Sequence, residues 1–312
     1  MNPHAEAGAK AGDAYDARVL EPSPPAVNEG PWFADDPVWP EGATRPVVSP
    51  VSSGDVLWSE LAAEDPSLAA WCRERWLGPY PALAAVPPGY EATRIALHAV
   101  AEHVLKPARE KANGKIGLRY VRGGFGTPFF GDDVQVSVRG ALLHVVRGGE
   151  ATSTPLTSLA AAAETLGDLA GAAPDGGLPA DPLPIDETAA AFIGDWFGFA
   201  YSVLEELRAR ASAEHAPSRV QIWPEHFDAA LEHGAEAADA RAAHGCSPGD
   251  EHHPEPYLYV APWTARPTGE LWNAQGFPGA ELPYADLVAA TDQRALALEF
   301  FGRRLDALSA PA

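Results

Sequence analysis

Two runs of alternating side chains constrain the fold of this chain most strongly. In the first run, Ile116, Leu118 and Tyr120 are separated by single small or polar residues. In the second, "VQVSVR" from Val134 to Arg139, every second residue is a valine. Because successive side chains of a strand point to opposite faces of a sheet, this period of two predicts half-buried antiparallel strands.

Segments with helical spacing stand on both sides of these strands. From Glu91 to Lys106 the apolar residues recur on one face of a predicted helix, and Pro107 is expected to end or kink it. After the strands, Thr157 or Ser158 is placed to cap a further helix. Helices and strands that follow one another without regular βαβ alternation are typical of the α+β class.

The pattern of helix, strands and helix occurs twice. After a stretch rich in glycine and proline at 171–184, a helix from about Phe192 to Leu207 precedes the strands "RVQIW" and "PYLYVAPW", and a helical segment closes the chain. This recurrence predicts an internal duplication inside one α+β domain at residues 53–312, with halves at about 53–170 and 185–312. The predicted fold is an antiparallel sheet built from two similar halves and flanked by helices.

The first 52 residues differ in composition from the rest. They are rich in alanine, glycine, proline and acidic residues, with aromatic residues only in islands such as Trp32, Phe33 and Trp39. Such a segment buries too little apolar surface to offset the entropy of ordering it, so a largely disordered tail is expected. The aromatic islands leave open a role as a protein-interaction module.

Charge and composition exclude some classes of function. The formal net charge of -21 disfavours binding to nucleic acid, which depends on lysine and arginine contacts to phosphate. The N-terminal residues lack the pattern of a secretory signal, and no stretch approaches the about 20 apolar residues that span a bilayer. Two distant cysteines, Cys72 and Cys246, indicate a reducing compartment. We therefore expect a cytoplasmic protein that binds neither nucleic acid nor membrane and whose protein partner is unknown.

Several short words occur between Arg94 and Leu308: "SRVQIWPEHFDAAL", "SPG", "PEP", "YLYV" and "LPYADL" before a final amphipathic helix. Together they resemble an uncharacterised bacterial protein family of unknown function. The Phe-Asp pair that the family places after a strand matches Phe227 and Asp228. The resemblance implies an architecture and no activity.

Half of the ten histidines fall between His226 and His253, among several carboxylates. Imidazole and carboxylate are ligands for zinc, iron or manganese, so a divalent metal is a possible cofactor, with His226, Asp228 and His253 as its ligands and Glu255 as a proton-transfer group. Without a metal, Asp228 or Glu255 would be the candidate general acid or base. The alternatives are a hydrated polar loop around "EHHPEP" and, for Asp228, the cap of a helix.

A basic region and a glycine-rich stretch lie in the first half. From Lys106 to Arg147 there are eight basic residues against three acidic ones, and the strand pattern places Arg119 and Arg139 on faces that could bind an anionic ligand or the acidic second half. The alternative is internal charge pairing or plain solvation of this face. "RGGFGTPFFG" lacks the spacing of a phosphate-binding loop and is interpreted as a turn whose Phe129 and Phe130 enter an apolar pocket.

These residues together predict a groove where the two halves meet. Its expected lining comprises Trp223, His226, Asp228, His253, Glu255 and Tyr257, with Phe129 and Phe130 as an aromatic floor. The leading expectation is a protein that binds a small molecule in this groove. The alternatives are a metal-assisted hydrolase or isomerase that uses the same groups, and the interaction module mentioned above.

Overall fold

The computed structural model describes residues 82–121, 123–128, 134–147, 150–211, 213–265 and 267–310. Within these ranges the protein is α+β, with two antiparallel five-stranded sheets and packed helices, so the predicted fold class is confirmed. The predicted tail at 1–52 and the aromatic floor of Phe129 and Phe130 lie outside the described residues. Within the described ranges, no helix combines the length and apolar character needed to cross a membrane.

The first helical segment does not end at its proline. Helix α1 spans Tyr90–Val100, a five-residue π-helical segment follows at Ala101–Leu105, and helix α2 spans Lys106–Asn113. Pro107 lies in the first turn of α2, where an amide hydrogen is not required. The sequence predicts that Pro107 ends or kinks the helix. The hydrogen-bond pattern changes to π-helical before the proline, and a further α-helix with Pro107 in its first turn follows.

Five consecutive strands form the first sheet. They are β1 (Arg119–Val121), β2 (Gly124–Gly126), β3 (Val134–Arg139), β4 (Leu142–Arg147) and β5 (Glu150–Pro155), each antiparallel to the next. Helix α3 (Leu159–Leu166) follows, and Ser158 caps it by accepting a hydrogen bond of 3.1 Å from the amide of Ala161.

Strands β1 and β3 of the first sheet are more deeply buried than the sequence predicts. All of β1 and the four central residues of β3 are buried, including Gln135 and Ser137. The alternation of apolar and polar residues therefore predicts the antiparallel strands correctly, but it does not show that one face of them is exposed. Arg119 is 1% exposed and its charge acts on the buried Tyr201 of the second half, so it does not lie on an exposed surface. Its contact with an anionic ligand or with the acidic second half stays a prediction. Arg139, at the end of β3, is half-buried and acts electrostatically on His144.

The second half begins with the longest described helix, α4 (Glu187–Arg210), which Asp186 caps. Its strands are β6 (Gln221–Trp223), β7 (Asp228–His233), β8 (Ala242–Ser247), β9 (Tyr257–Pro262) and β10 (Ala280–Pro283), again each antiparallel to the next. Helices α5 (Tyr284–Ala289) and α6 (Gln293–Ser309) follow. Short 3-10 turns occupy Gly167–Leu169, Ala213–His215 and Glu236–Ala238.

The two sheets meet edge to edge. The amide of Leu118 donates to the carbonyl of Ile222 at 2.7 Å, and the amide of Ile222 donates back at 2.8 Å, beside β1 and β6. Helix α4 packs against β1–β3 of the first sheet and against β7 and β8 of the second, so both halves share one core. The order of helix, five strands and helix occurs in each half. A duplication as its origin stays a prediction.

Candidate functional site

The candidate site lies on the face of the second sheet that points away from the shared core. In β9 the burial alternates, so that Leu258 and Val260 enter the core while Tyr257 and Tyr259 point to the other face. The register places Tyr257 opposite Ser247 of β8, and Tyr259 opposite Gly245. Asp228 begins β7 on this same face. The predicted helix cap at Asp228 is therefore wrong, because this residue begins a strand.

Tyr259 reaches Asp228 across a glycine. Its hydroxyl donates a short hydrogen bond to Oδ2 of Asp228. The ring passes so close to β8 that a Cβ atom at Gly245 would lie 2.2 Å from Cζ of Tyr259. Only glycine at position 245 leaves room for this tyrosine to lie over the neighbouring strand.

The carboxyl group of Asp228 is buried and only half satisfied. The residue is 4% exposed, and its Oδ1 has no hydrogen-bond partner among the described residues. Burial raises the pKa of Asp228, although the hydrogen bond from Tyr259 and the charge of His226 act in the opposite direction. The site therefore holds a carboxyl group that burial biases towards its neutral form.

The turn before Asp228 carries backbone strain. Residues 224–227 join β6 to β7, and Phe227 has φ +56, a left-handed conformation that is unusual for a bulky residue. Its amide donates to the carbonyl of Trp223 at 2.6 Å. The buried ring packs against Phe125 and Phe197, with centroids 5.0 and 5.2 Å away. Such strain costs about 1–3 kcal/mol and persists where packing determines the conformation.

Helix α1 supplies the opposite wall of the site. Glu91, Arg94, Ile95 and His98 share one face because they are three or four residues apart. The Nε2 atom of His98 lies 2.9 Å from the carbonyl oxygen of Pro224, which can only accept, so Nε2 carries the proton and donates. Burial lowers the pKa of His98 and favours the neutral ring, whose Nδ1 is then an acceptor.

Arg94 fastens this helix to the loop after β8. Its Nη1 donates to the carbonyl of Gly249 at 3.0 Å, and its Nη2 donates to the carbonyl of Asp250 at 3.1 Å. Gly249 has φ +100, and a Cβ atom there would lie 2.6 Å from the carbonyl oxygen of His253. The loop thus depends on a buried arginine and on a glycine in a left-handed conformation.

Asp250 organises the "DEHH" part of that loop. Its Oδ1 accepts hydrogen bonds from the amides of His252 and His253 at 2.7 and 2.8 Å, and its Oδ2 accepts one of 2.8 Å from the hydroxyl of Tyr257. Burial raises the pKa of Asp250, but these hydrogen bonds outweigh it and hold the pKa below its usual value. Asp250 is thus an acceptor whose lone pairs serve the loop itself.

These elements enclose a cavity of about 750 Å³. Helix α1 of the first half forms one side, and the β6–β7 turn, the loop at 249–251 and β9 form the others. Its size is in the range of ligand sites, which have about 300–1,000 Å³. The cavity lies between an element of the first half and the sheet of the second.

The structure brings only part of the predicted groove to this cavity. His226, Asp228 and Tyr257 line it, whereas Trp223, His253 and Glu255 do not. Glu255 is exposed on the loop before β9. Of the two predicted proton-transfer groups, only Asp228 therefore contacts the cavity.

The proposed metal ligands do not come together in a three-ligand group. Among the described residues, no three or more histidine, cysteine, aspartate or glutamate side chains are arranged to hold a metal ion. His253 lies between Asp250 and Glu281, with Nδ1 3.1 Å from Oδ1 of Asp250 and Nε2 3.5 Å from Oε1 of Glu281. Its contacts thus hold the loop against β10.

Sequence reasoning missed most of the described residues that line the cavity, among them Arg94, His98, Asp250 and Tyr259. The polar residues of α1 read as the solvated side of an amphipathic helix, since nothing in the sequence shows that this side faces the second sheet. Tyr259 could have been predicted from "YLYV", because it stands two residues after Tyr257 and its side chain therefore points to the same face of the strand.

A scan against protein-family models, a search of curated proteins and a search of solved structures each find no match to this chain. The family resemblance around Phe227 and Asp228 stays a prediction. The function therefore has to be inferred from the side chains of the cavity themselves.

Proposed function

We propose that this protein binds a small molecule in the cavity between α1 and the second sheet. The single observation that carries the proposal is Oδ1 of Asp228, a buried polar atom without a hydrogen-bond partner among the described residues. A ligand that hydrogen-bonds to this atom would complete the site. With a net charge of -21 on the chain, we expect that ligand to be a small molecule in the cytoplasm and not a nucleic acid.

The energetic argument concerns the missing hydrogen bond. A buried polar group left without a partner destabilises the folded protein by about 1–3 kcal/mol. Asp228 is also preceded by the strained Phe227, so two unfavourable features stand side by side in one turn. Both features are typical of binding and catalytic sites, where structure is retained for function at the expense of stability.

The walls of the cavity are held by contacts of their own. Arg94 ties α1 to the loop at 249–250, Tyr257 is bound to Asp250, and His98 is bound to Pro224. A ligand would therefore meet side chains that are already ordered, which reduces the entropy lost on binding.

A fragment screen by ligand-observed NMR tests this proposal. Neutral, cationic and anionic fragments would be screened against the unchanged protein and against Asp228→Asn, which keeps the shape of the side chain. We expect fragments that bind the unchanged protein and lose binding in Asp228→Asn. The control is Asp175→Asn, since Asp175 is exposed in the loop after α3 and does not line the cavity.

A second variant guards against poor folding of Asp228→Asn. Ile95 is 55% exposed and lines the cavity, so Ile95→Trp adds bulk at the site without disturbing the core. Fragments that bind the unchanged protein should lose binding in Ile95→Trp also. Fragments that bind all variants alike, or a screen in which no fragment binds, would overturn the proposal.

A second candidate function is proton transfer, and the environment of Asp228 favours it. A buried carboxyl group with a raised pKa, bound to Tyr259 and facing a cavity that the neutral His98 also lines, is suited to general acid or base catalysis. This describes an isomerase that needs no metal.

Deuterium exchange tests the second candidate. Carbonyl compounds with acidic α-hydrogens would be incubated with the protein in heavy water, and exchange followed by proton NMR. Exchange that the unchanged protein accelerates and Asp228→Asn does not would support catalysis. Equal exchange rates with both proteins across the compounds would reject it.

A further inference from the structure

Carboxyl groups dominate the polar lining of the cavity. Five of them contact it, from Glu91, Glu225, Asp228, Asp250 and Glu251, against one guanidinium group, that of Arg94. Both Nη atoms of Arg94 donate to backbone carbonyls of the loop at 249–250. Burial biases Asp228 towards its neutral form and Glu225 is paired with Lys106, but the acidic residues still outnumber the guanidinium group, which disfavours an anionic compound.

These carboxyl groups differ in what they already bind. Glu225 forms an ion pair with Lys106, with an N–O distance of 2.6 Å, and Asp250 accepts hydrogen bonds from Tyr257 and from two backbone amides. Asp228 has Oδ2 occupied by Tyr259 but Oδ1 without a partner among the described residues. The buried acceptor that remains for a ligand is this one oxygen atom.

An aromatic wall stands beside it. The wall consists of Tyr257, Tyr259 and Phe277. The ring centroids of Tyr257 and Tyr259 are 6.1 Å apart, and those of Tyr259 and Phe277 are 6.3 Å apart. All three line the cavity, and the hydroxyl of Tyr259 is the group bound to Asp228. Faces of aromatic rings attract cations within about 6 Å, and the rings also accept an apolar substituent.

We propose that the ligand of this cavity is a small protonated primary or secondary amine, whose ammonium group donates a hydrogen bond to Oδ1 of Asp228 beside the aromatic wall. This inference rests on the proposed function, because it names the ligand class of the same cavity. The carboxyl group selects the positive charge and the N–H donor, and the tyrosines hold the apolar part of the molecule.

The protonation state of Asp228 is compatible with an ammonium partner. Burial raises the pKa of this carboxyl group, although the charge of His226 acts in the opposite direction. An ammonium group at Oδ1 adds a positive charge and stabilises the ionised form. A quaternary ammonium compound carries the charge but no N–H donor, so it would leave Oδ1 without a hydrogen bond.

Isothermal titration calorimetry with four matched compounds tests the inference. The probes are benzylamine, benzyl alcohol, benzoate and benzyltrimethylammonium, which share one ring and differ in charge and donors. We expect benzylamine to bind about tenfold or more tightly than each of the other three, the range expected for a hydrogen bond to a charged group. Asp228→Asn should weaken benzylamine by about the same factor, and the control Asp175→Asn should not change it.

The outcomes separate this inference from the proposed function. If benzyl alcohol binds as tightly as benzylamine and both depend on Asp228, the cavity binds a small molecule but the ammonium inference is wrong. Equal binding of benzyltrimethylammonium would also reject it, because no N–H donor is then needed. If benzylamine does not bind while the fragment screen yields other compounds that depend on Asp228, only the inference fails. If Asp228→Asn does not fold, the order of the four affinities for the unchanged protein decides whether the ammonium inference holds.

Discussion

Tyr259 and Asp228 lie on strands that do not pair with each other, yet the tyrosine hydroxyl donates to the carboxyl group across the intervening strand β8. The hydrogen bond depends on the absence of a side chain at Gly245, where a Cβ atom would lie 2.2 Å from the ring. The hydrogen bond between Tyr259 and Asp228 thus depends on one residue from each of three strands.

Gly245→Ala should displace Tyr259 from Asp228. The added methyl group has no room beneath the ring, so we expect a lower melting temperature together with the loss of any ligand that depends on Asp228. The matched control is Gly302→Ala in α6, where a Cβ atom meets nothing within 4 Å. This control should stabilise the protein by up to about 1 kcal/mol, because alanine favours a helix over glycine. Unchanged ligand binding in Gly245→Ala would show that the position of Tyr259 is not required.

Tyr259→Phe should destabilise the protein more than Tyr257→Phe. Loss of the Tyr259 hydroxyl leaves the buried carboxyl group of Asp228 without its donor, at about 1–3 kcal/mol in the free energy of unfolding. Asp250, the partner of Tyr257, keeps its hydrogen bonds from the amides of His252 and His253. Tyr257→Phe should therefore lower the free energy of unfolding by about 1 kcal/mol or less. Urea denaturation measures both values, and the reverse order would contradict this reading of the two tyrosines.

Two buried histidines should make the protein unstable in acid. The rings of His233 and His244 lie 5.6 Å apart on β7 and β8, with 1% and 0% of each residue exposed. Burial lowers the pKa of His233 to about 3, helped by the nearby His244, and lowers that of His244 to about 4. In the unfolded chain both titrate near about 6.5, so the unfolded state binds more protons below that pH and stability falls as the pH decreases.

The acid effect can be assigned by mutation. Between about pH 7 and about pH 5, His233 alone should account for about 2 kcal/mol of lost unfolding free energy. Relative to the unchanged protein, His233→Leu should therefore lose about 2 kcal/mol less over this interval, whereas His103→Gln, at an exposed position of the π-helical segment, should lose the same amount. Identical pH profiles for all three proteins would reject the assignment.

Much of the fold could be predicted from local patterns. The alternation in "YLYV" identified a strand whose two faces have different surroundings, and the apolar period from Phe192 to Leu207 identified α4. Thr157 or Ser158 was predicted as a helix cap, and Ser158 is the cap, because the physical requirement is local. At Pro107 the sequence left open whether the helix ends or kinks, because sequence alone does not show that the chain widens to a π-helix one turn earlier.

The site was predicted only in part, and for a different reason. The segment from Trp223 to Asp228 was identified by residue type, and two of the residues predicted there, His226 and Asp228, do line the cavity. Arg94 and His98 are about 130 residues earlier in the chain, and they reach the cavity only because α1 packs over the second sheet. Burial of Asp228 could not be predicted either, since a carboxylate after a turn is usually exposed.

The most direct test of the site is the carbon-13 NMR titration of the Asp228 carboxyl group, with and without a saturating ligand from the fragment screen. We predict an apparent pKa above the ordinary value of 3.8 in the free protein and a change in its chemical shift and pKa when the ligand binds. A pKa at or below 3.8 that the ligand leaves unchanged would contradict a binding site built around this carboxyl group.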